Sequence, residues 1–106
     1  MDRKNQIEFK LYLGRNMTLP NGTVQEISET HLADFTQYII APRLESCTLE
    51  NALGLWRRTP EPTIILTFIG SDDDRDTVRV IGKLYTQQFL QESVFMTEHI
   101  VFTEML

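Results

Sequence analysis

An α+β fold is predicted by the order in which two kinds of apolar pattern follow one another along the 106 residues. Strand-like alternation and helix-like stripes come in the order strand, helix, strand, strand, helix, strand, over residues 7–13, 29–40, 49–57, 63–69, 75–90 and from 94 onward. This order is typical of the ferredoxin-like fold, in which two helices cover one face of a four-stranded antiparallel sheet. We therefore expect one ferredoxin-like domain over residues 1–106, with no helix on the second face of the sheet.

The first strand is predicted from clean alternation. Its apolar side chains share one face (Ile7, Phe9, Leu11, Leu13), and its polar and aromatic ones share the other (Glu8, Lys10, Tyr12). Gly14 then opens a connection of about a dozen residues, much longer than an ordinary loop, with a turn signal at Pro20-Asn21-Gly22. Such a connection is either a functional loop or a small flap.

The first helix is expected to begin after Ser28 or Thr30, because either side chain can cap the backbone N–H groups of the first turn. A buried stripe follows at helical spacing (Leu32, Phe35, Ile39). The helix should end near Ala41, since the residue before Pro42 disfavours helical geometry.

The two middle strands are predicted to meet in a turn at Thr59-Pro60-Glu61-Pro62. Two of these four residues lack an N–H donor, which argues against a continuing ladder. The strand over 63–69 is apolar on both faces, and this pattern indicates a central strand.

The second helix is preceded by the acidic run Asp72-Asp73-Asp74. Three adjacent carboxylates suggest a metal, but the alternating ligand spacing of a calcium loop is missing, and acidic groups at a helix start are favoured by the helix dipole alone. We predict no metal site here. The helix itself shows a buried stripe of Val78, Ile81, Tyr85 and Phe89, and an unusually long last strand follows from Val94.

Composition excludes several classes of function. The net charge of −5 opposes a nucleic-acid binder, which needs a concentrated positive field. Cys47 is alone, so it forms no internal disulfide, and we expect a plain small side chain there. The first residues carry no apolar signal segment, and the longest apolar run (64–69) is too short to span a bilayer. We expect a soluble, cytoplasmic protein that needs no cofactor and binds neither nucleic acid nor membrane.

One end of the predicted sheet collects the best candidate for a ligand site. The topology brings there the residues that we call the predicted rim: Tyr12, Arg15, Trp56, Arg57, Gln91, Glu92 and Ser93. Its arginines would suit a small anionic or polar ligand. The alternative is that Arg57 and Arg58 only keep a hairpin soluble and that Glu92 pairs with one of them, which contributes about 0–1 kcal/mol when exposed.

The helix-free face of the sheet is predicted to be too apolar for a monomer. Candidate interface residues on it are Ile65, Phe95, His99 and Val101, and pairing two such faces would give a homodimer. His99 could act as a general base, but no partner that would orient it is visible, so a structural role is favoured. His31 is expected in solvent.

Two functions remain open from the residues. No nucleophile–base pair, phosphate loop or cofactor fingerprint is visible, and no catalytic residue is assigned, so a dimeric binding or interaction module without catalysis is favoured. The alternative is a cofactor-free enzyme of the dimeric α/β-barrel type, in which Tyr12, His99 or Arg57 would position a small organic substrate in an apolar cavity.

Four short strings, in order, resemble a bacterial family, the domain-of-unknown-function family 3574. They are Leu11-Tyr12-Leu13-Gly14, Ala41-Pro42-Arg43-Leu44, Gly54-Leu55-Trp56-Arg57, and Tyr85 to Phe89 leading into Gln91-Glu92-Ser93-Val94. The resemblance implies that Tyr12, Arg43, Trp56, Arg57, Gln91, Glu92 and Ser93 matter to the family. The resemblance does not indicate which activity, if any, the family has. Family members often follow an export signal that is missing here, so their compartment does not carry over.

Overall fold

The computed structural model describes residues 3–106 and contains, within that range, two sheets and two α-helices. The elements follow in the order β1 (Arg3–Gly14), β2 (Asn16–Thr18), β3 (Val24–Glu26), α1 (Glu29–Phe35), β4 (Thr48–Trp56), β5 (Thr59–Gly70), α2 (Arg75–Gln88) and β6 (Phe95–Glu104). A π-helical turn (Thr36–Ile40) extends α1, and a 3₁₀ turn (Asp72–Asp74) precedes α2. No helix among the described residues is both long and apolar enough to cross a membrane.

The main sheet has four strands in the order β4-β5-β1-β6, and every neighbouring pair is antiparallel. The predicted α+β architecture with two helices and a four-stranded antiparallel sheet is therefore confirmed. β5 lies between β4 and β1, as its two apolar faces indicated. Cross-strand partners share a face of the sheet, so the register fixes which side chains point towards the helices.

The core lies between one face of this sheet and the two helices. Phe9 pairs with Phe68 and Leu11 with Leu66, and α2 approaches the sheet closely at Gly82, where a methyl group would contact Leu11. An aromatic cluster joins the helices to each other. The buried side chains are Phe9, Leu11, Leu13, Ile27, Leu32, Phe35, Ile40, Leu44, Leu66, Val78, Ile81, Tyr85 and Phe89.

A serine caps the start of α1 and another caps the 3₁₀ turn that leads into α2. The Ser28 hydroxyl accepts the His31 N–H at 3.1 Å, and Ser71 and Asp74 form a reciprocal capping box before α2. The first helical segment ends near Ala41, as predicted, but its regular α-helix stops at Phe35 and a π-helical turn completes it. There the Thr36 hydroxyl donates to the Leu32 carbonyl, and the Ala41 N–H reaches the Thr36 carbonyl five residues back. This wider turn ends with Ile40 buried in the core.

The predicted turn over residues 59–62 is wrong. The chain reverses at Arg57 and Arg58, with φ values of 50° and 67°, and β5 already begins at Thr59. Pro62 can lie within β5 because its backbone nitrogen and carbonyl point away from β4. Its carbonyl accepts the Arg15 N–H on the opposite side of the strand. Pro60, two residues earlier, faces the same way, and neither proline costs the β4–β5 ladder a donor.

The long connection after β1 is a small flap, which we define as the β2–β3 hairpin with its tip (residues 16–26). Its strands pair from Asn16–Glu26 to Thr18–Val24, and Gly22 turns the tip with φ 85°. Two backbone bonds fix its base: Arg15 donates to the Pro62 carbonyl, and Ile27 donates to the Arg15 carbonyl. The flap therefore stands beside the end of β5 that β1 no longer covers.

Candidate functional site

A cleft of about 850 Å³ opens on the helix-free face of the main sheet. It lies where the flap, the β4–β5 hairpin and the segment between α2 and β6 meet the sheet. A volume of this size is in the range of about 300–1,000 Å³ that is usual for small-molecule sites. Its lining includes Tyr12, Gly14, Asn16, Gly54, Trp56, Arg57, Glu61, Thr63, Gln91, Glu92, Ser93 and Phe95.

Small residues make the floor of the cleft. A methyl group on Gly54 would lie 3.1 Å from the Thr63 hydroxyl, and one on Gly14 would lie 2.6 Å from a carboxylate oxygen of Glu61. Contacts under about 3.0 Å require a neighbour to move. Gly14 therefore leaves the space that the Glu61 carboxylate occupies.

Aromatic side chains make the walls. Tyr12 lies directly opposite Phe95 across the β1–β6 ladder, and both point to the helix-free face. Trp56 stands at the end of β4 with the Arg57 guanidinium 5.6 Å from the ring centroid. Trp56 is 42% exposed and Phe95 66% exposed, so their rings are available to a ligand. Flat aromatic or apolar groups suit such walls.

Glu61 reaches the floor from β5. The Asn16 N–H donates to its Oε2 at 3.0 Å, which ties the flap to this carboxylate. Within residues 3–106, no Lys, Arg or His forms an ion pair with Glu61. The carboxylate therefore keeps acceptor capacity for a bound molecule.

Tyr85 supports the floor from below. Its hydroxyl donates to the Gly14 carbonyl at 2.7 Å, although its ring is buried in the core. Burial raises the pKa of Tyr85 well above its usual value, Glu61 adds to this rise, and Arg15 opposes it. The phenol is consequently a neutral donor at physiological pH and has no capacity as a base there.

Two side-chain links close the mouth of the cleft. The Arg57 guanidinium donates to Glu92 at 2.5 Å, and the Gln91 amide donates to the Asn16 carbonyl at 2.9 Å. In the described part of the chain, the residues other than glycine with positive φ are Arg57, Arg58 and Leu90. Arg57 and Leu90 line the cleft, and Arg58 follows Arg57 in the hairpin turn outside the lining. Such backbone costs roughly 1–2 kcal/mol per residue and is concentrated at functional sites in many proteins.

The structure brings together six of the seven residues of the predicted rim: Tyr12, Trp56, Arg57, Gln91, Glu92 and Ser93 line the cleft. Arg15 does not. Its guanidinium donates to the Ile27 carbonyl and to Glu29 outside the cleft, and its Nε is buried without a hydrogen bond. Arg57 is engaged by Glu92, so the rim is less cationic than its sequence suggests.

The site contains residues that the sequence did not point to. Gly14, Asn16, Gly54, Glu61 and Thr63 form its floor and one wall. Glu61 was missed because the flanking prolines favoured a turn. Continuing the alternation of β5 backwards from Ile65 would have placed Thr63 and Glu61 on the same face.

The candidate interface residues share the helix-free face, as their register shows. Phe95 belongs to the cleft, whereas His99 lies further along β6 with its Nε2 3.4 Å from Glu8. Arg43 bonds to the Ile39 carbonyl, and His31 is exposed; neither lines the cleft. Cys47 is half-buried, and burial raises the pKa of its thiol, which makes it a weak nucleophile. The described residues hold no group of three His, Cys, Asp or Glu side chains that could bind a metal.

Two solved structures share this fold. A phage SAM lyase in complex with S-methyl-5'-thioadenosine has a TM-score of 0.64 and 16% identity, over 92% of this chain and 88% of that one. A phage SAM lyase in the apo state also has a TM-score of 0.64, with 17% identity, over 94% of this chain and 86% of that one. At this identity the likeness establishes the fold.

The comparison corrects the favoured functional interpretation. A binding or interaction module without catalysis is contradicted, because these two similar structures are those of an enzyme, a phage SAM lyase. The alternative, a cofactor-free enzyme acting on a small organic substrate, agrees better with them. No curated protein matches the sequence. The model of a protein of unknown function, DUF3574, matches residues 8–104, and the chain therefore belongs to the DUF3574 family.

Proposed function

We propose that this protein is an enzyme that binds a small organic molecule in the cleft and that an adenosyl sulfonium compound is its substrate. The observation that carries the proposal is the aromatic-walled cleft on the helix-free face. The similar phage enzyme is a SAM lyase found with S-methyl-5'-thioadenosine, which supplies the substrate class.

The lining supports an adenosine-sized ligand. The rings of Tyr12, Trp56 and Phe95 offer apolar faces for a base, and Gln91, Ser93 and Asn16 offer hydrogen-bonding groups for its edges and for a ribose. The apolar walls also keep water from part of the site, which strengthens electrostatic contacts inside it.

The proposed reaction needs no redox partner. The bond between the sulfonium sulfur and the Cγ of the amino-acid portion breaks, and sulfur keeps the electron pair to become a neutral thioether. In the same step, either the substrate's own carboxylate oxygen bonds to Cγ and closes a lactone, or a water molecule in the cleft takes a Cβ proton and an alkene forms. The cleft supplies orientation and a partly dry environment.

We also propose that the topology is ferredoxin-like and that two copies of the chain associate. The order β4-β5-β1-β6 supports a ferredoxin-like arrangement into which the flap is inserted. The apolar residues Ile65 and Val101 lie on the helix-free face outside the cleft and support association of two copies.

Incubation with S-adenosylmethionine tests the activity. Purified protein should release S-methyl-5'-thioadenosine, detected by chromatography and mass spectrometry. Trp56→Leu removes a wall of the cleft and should reduce the rate about tenfold, the order expected for losing an aromatic ligand contact of about 1.4 kcal/mol. Lys83→Gln, on the exposed side of α2, is the matched control and should keep the rate. Absence of product from folded wild-type protein contradicts the proposal.

A further inference from the structure

The charges that line the cleft do not cancel. Three charged side chains border it, namely Arg57, Glu61 and Glu92. Arg57 and Glu92 are paired with each other at the mouth. The lining therefore carries a net negative charge, which comes from the carboxylate of Glu61.

Glu61 is held in place rather than free to swing away. Its Oε2 accepts the Asn16 N–H at 3.0 Å, and its carboxyl group lies over Gly14, where a methyl group would come within 2.6–2.8 Å of all three carboxyl atoms. The absence of a Cβ at residue 14 is therefore what admits the carboxylate to the floor.

We propose that Glu61 is the residue that selects a positively charged ligand, and that the cleft takes organic cations of the sulfonium or ammonium class. The aromatic faces beside it favour the same sign of charge, because a ring face attracts a cation. The inference rests on the proposed function in taking the cleft as the site. It differs from the small anionic or polar ligand that the sequence offered as one of two interpretations of the rim, since Arg15 and Arg57 are both paired with glutamates.

The chain contains its own reporter for the test. Trp56 is the single tryptophan of the sequence and lies in the cleft wall, so its fluorescence reports occupancy directly. The probes are S-adenosylmethionine, neutral S-methyl-5'-thioadenosine, trimethylsulfonium and inorganic phosphate, each titrated into wild-type protein and two variants.

Glu61→Gln keeps an acceptor for the Asn16 N–H but removes the charge. It should weaken binding of the two sulfonium probes by on the order of tenfold, as expected for a lost charged contact, and change the neutral probe less than about twofold. Glu50→Gln makes the same charge change on the same face but outside the cleft, and should leave all affinities unchanged. Equal effects of Glu61→Gln on charged and neutral probes, or tighter wild-type binding of phosphate than of trimethylsulfonium, overturn the inference.

Gly14→Ala tests whether the placement of the carboxylate matters. This variant keeps the charge but displaces Glu61, so the preference for sulfonium over the neutral probe should fall as it does in Glu61→Gln. An unchanged preference in a folded Gly14→Ala protein contradicts this part of the inference.

The outcomes separate the two proposals. If trimethylsulfonium binds in a manner that depends on Glu61 while neither adenosyl compound binds, the adenosyl substrate is wrong and the charge selection stands. If adenosyl compounds bind regardless of Glu61, the charge selection is wrong and the site stands. If no probe changes the fluorescence of Trp56, the inference is wrong.

Discussion

Tyr85 connects the hydrophobic core to the floor of the cleft through one hydrogen bond. Its ring packs against Phe35 and Phe89, with ring centroids 5.2 and 4.8 Å away, while its hydroxyl reaches the Gly14 carbonyl. Tyr85, which packs in the core, therefore also holds the Gly14 backbone that the Glu61 carboxylate contacts. Its helical stripe was predictable from the sequence, but the contact between residues 71 positions apart was not.

Removing this hydroxyl should destabilise the protein and change its response to alkali. Tyr85→Phe should lower the free energy of unfolding by about 1 kcal/mol, the usual net value of such a bond. Because the pKa of Tyr85 is raised in the folded protein, the unfolded chain loses this proton first as the pH rises above 10.0. Wild-type stability should therefore fall above that pH, and the variant should lack this part of the fall. Urea titrations at pH 8 to 11 measure both effects, and identical alkaline slopes would contradict the assignment.

At the scale of elements, the β4–β5 hairpin has a turn that its sequence does not favour. Two-residue turns with positive φ at both positions are dominated by Asn and Gly, yet Arg57 and Arg58 occupy them here. This is why the sequence placed the turn two residues too late, at the prolines. The sequence predicted a functional loop or a small flap here but not the β2–β3 pairing, because strands of three residues are too short to show alternation.

Replacing Arg58 alone should improve stability without touching the cleft. Arg58→Gly relieves a left-handed backbone conformation and should raise the free energy of unfolding by about 1 kcal/mol. Arg57→Asn relieves similar strain but also removes the partner of Glu92 at the mouth. We expect the first variant to keep its rate with S-adenosylmethionine and the second to lose part of it. Thermal unfolding and the product assay measure the two properties, and a loss of rate in Arg58→Gly would refute the distinction.

A second element-scale feature joins the start of α2 to β6. Arg75 donates from Nε and Nη2 to Glu98, at 2.7 to 3.1 Å, and its guanidinium also contacts Asp72. These bonds from Arg75 are the largest cause of the lowered pKa of Glu98. The pair joins α2 to the middle of the sheet, on the face that the helices cover, because Glu98 lies opposite the core residue Phe9.

This ion pair should make stability depend on acid. Since the pKa of Glu98 lies below its usual 4.5, its contribution is present above that pH and is lost as the pH falls. Glu98→Gln should therefore be less stable than wild type at pH 7 and should lose less on acidification. Glu104→Gln, further along β6, is the control and should follow wild type. Thermal unfolding between pH 3 and 7 measures the difference, which vanishes if the pair is inert.

For the whole molecule, the alternation of apolar residues was enough to predict two helices on a four-stranded antiparallel sheet, a central position for the strand over 63–69, and the end of the sheet where the rim residues gather. It was not enough to predict the floor of the cleft, because Gly14 and Gly54 act by the space they leave and Glu61 lies between two prolines. The orientation of the Arg15 side chain also depends on its hydrogen bonds to the Ile27 carbonyl and to Glu29, and apolar periodicity does not predict such bonds.

Association of two copies through the helix-free face remains a prediction at this scale. In sedimentation experiments at high concentration, the protein should behave as a particle with twice the 12.4 kDa mass of one chain. Val101→Glu places a charge on that face away from the cleft and should shift the protein towards the monomer while keeping ligand binding. Lys83→Gln should leave the sedimentation unchanged. A wild-type particle of 12.4 kDa at all concentrations would exclude this mode of association.

The two prolines of β5 have a consequence for the kind of molecule that the cleft admits. After β1 has ended, one more backbone bond, from the Arg15 N–H to the Pro62 carbonyl, covers this side of β5, and the residues before Pro62 form an open strand margin beside the flap. Such a margin ordinarily attracts an extended peptide as an added strand. Pro60 and Pro62 remove the amide hydrogens from that margin. A peptide would have too few backbone donors there to pair with β5 as an added strand. Ligand recognition therefore depends on the surrounding side chains, and the cleft remains accessible to small compact molecules.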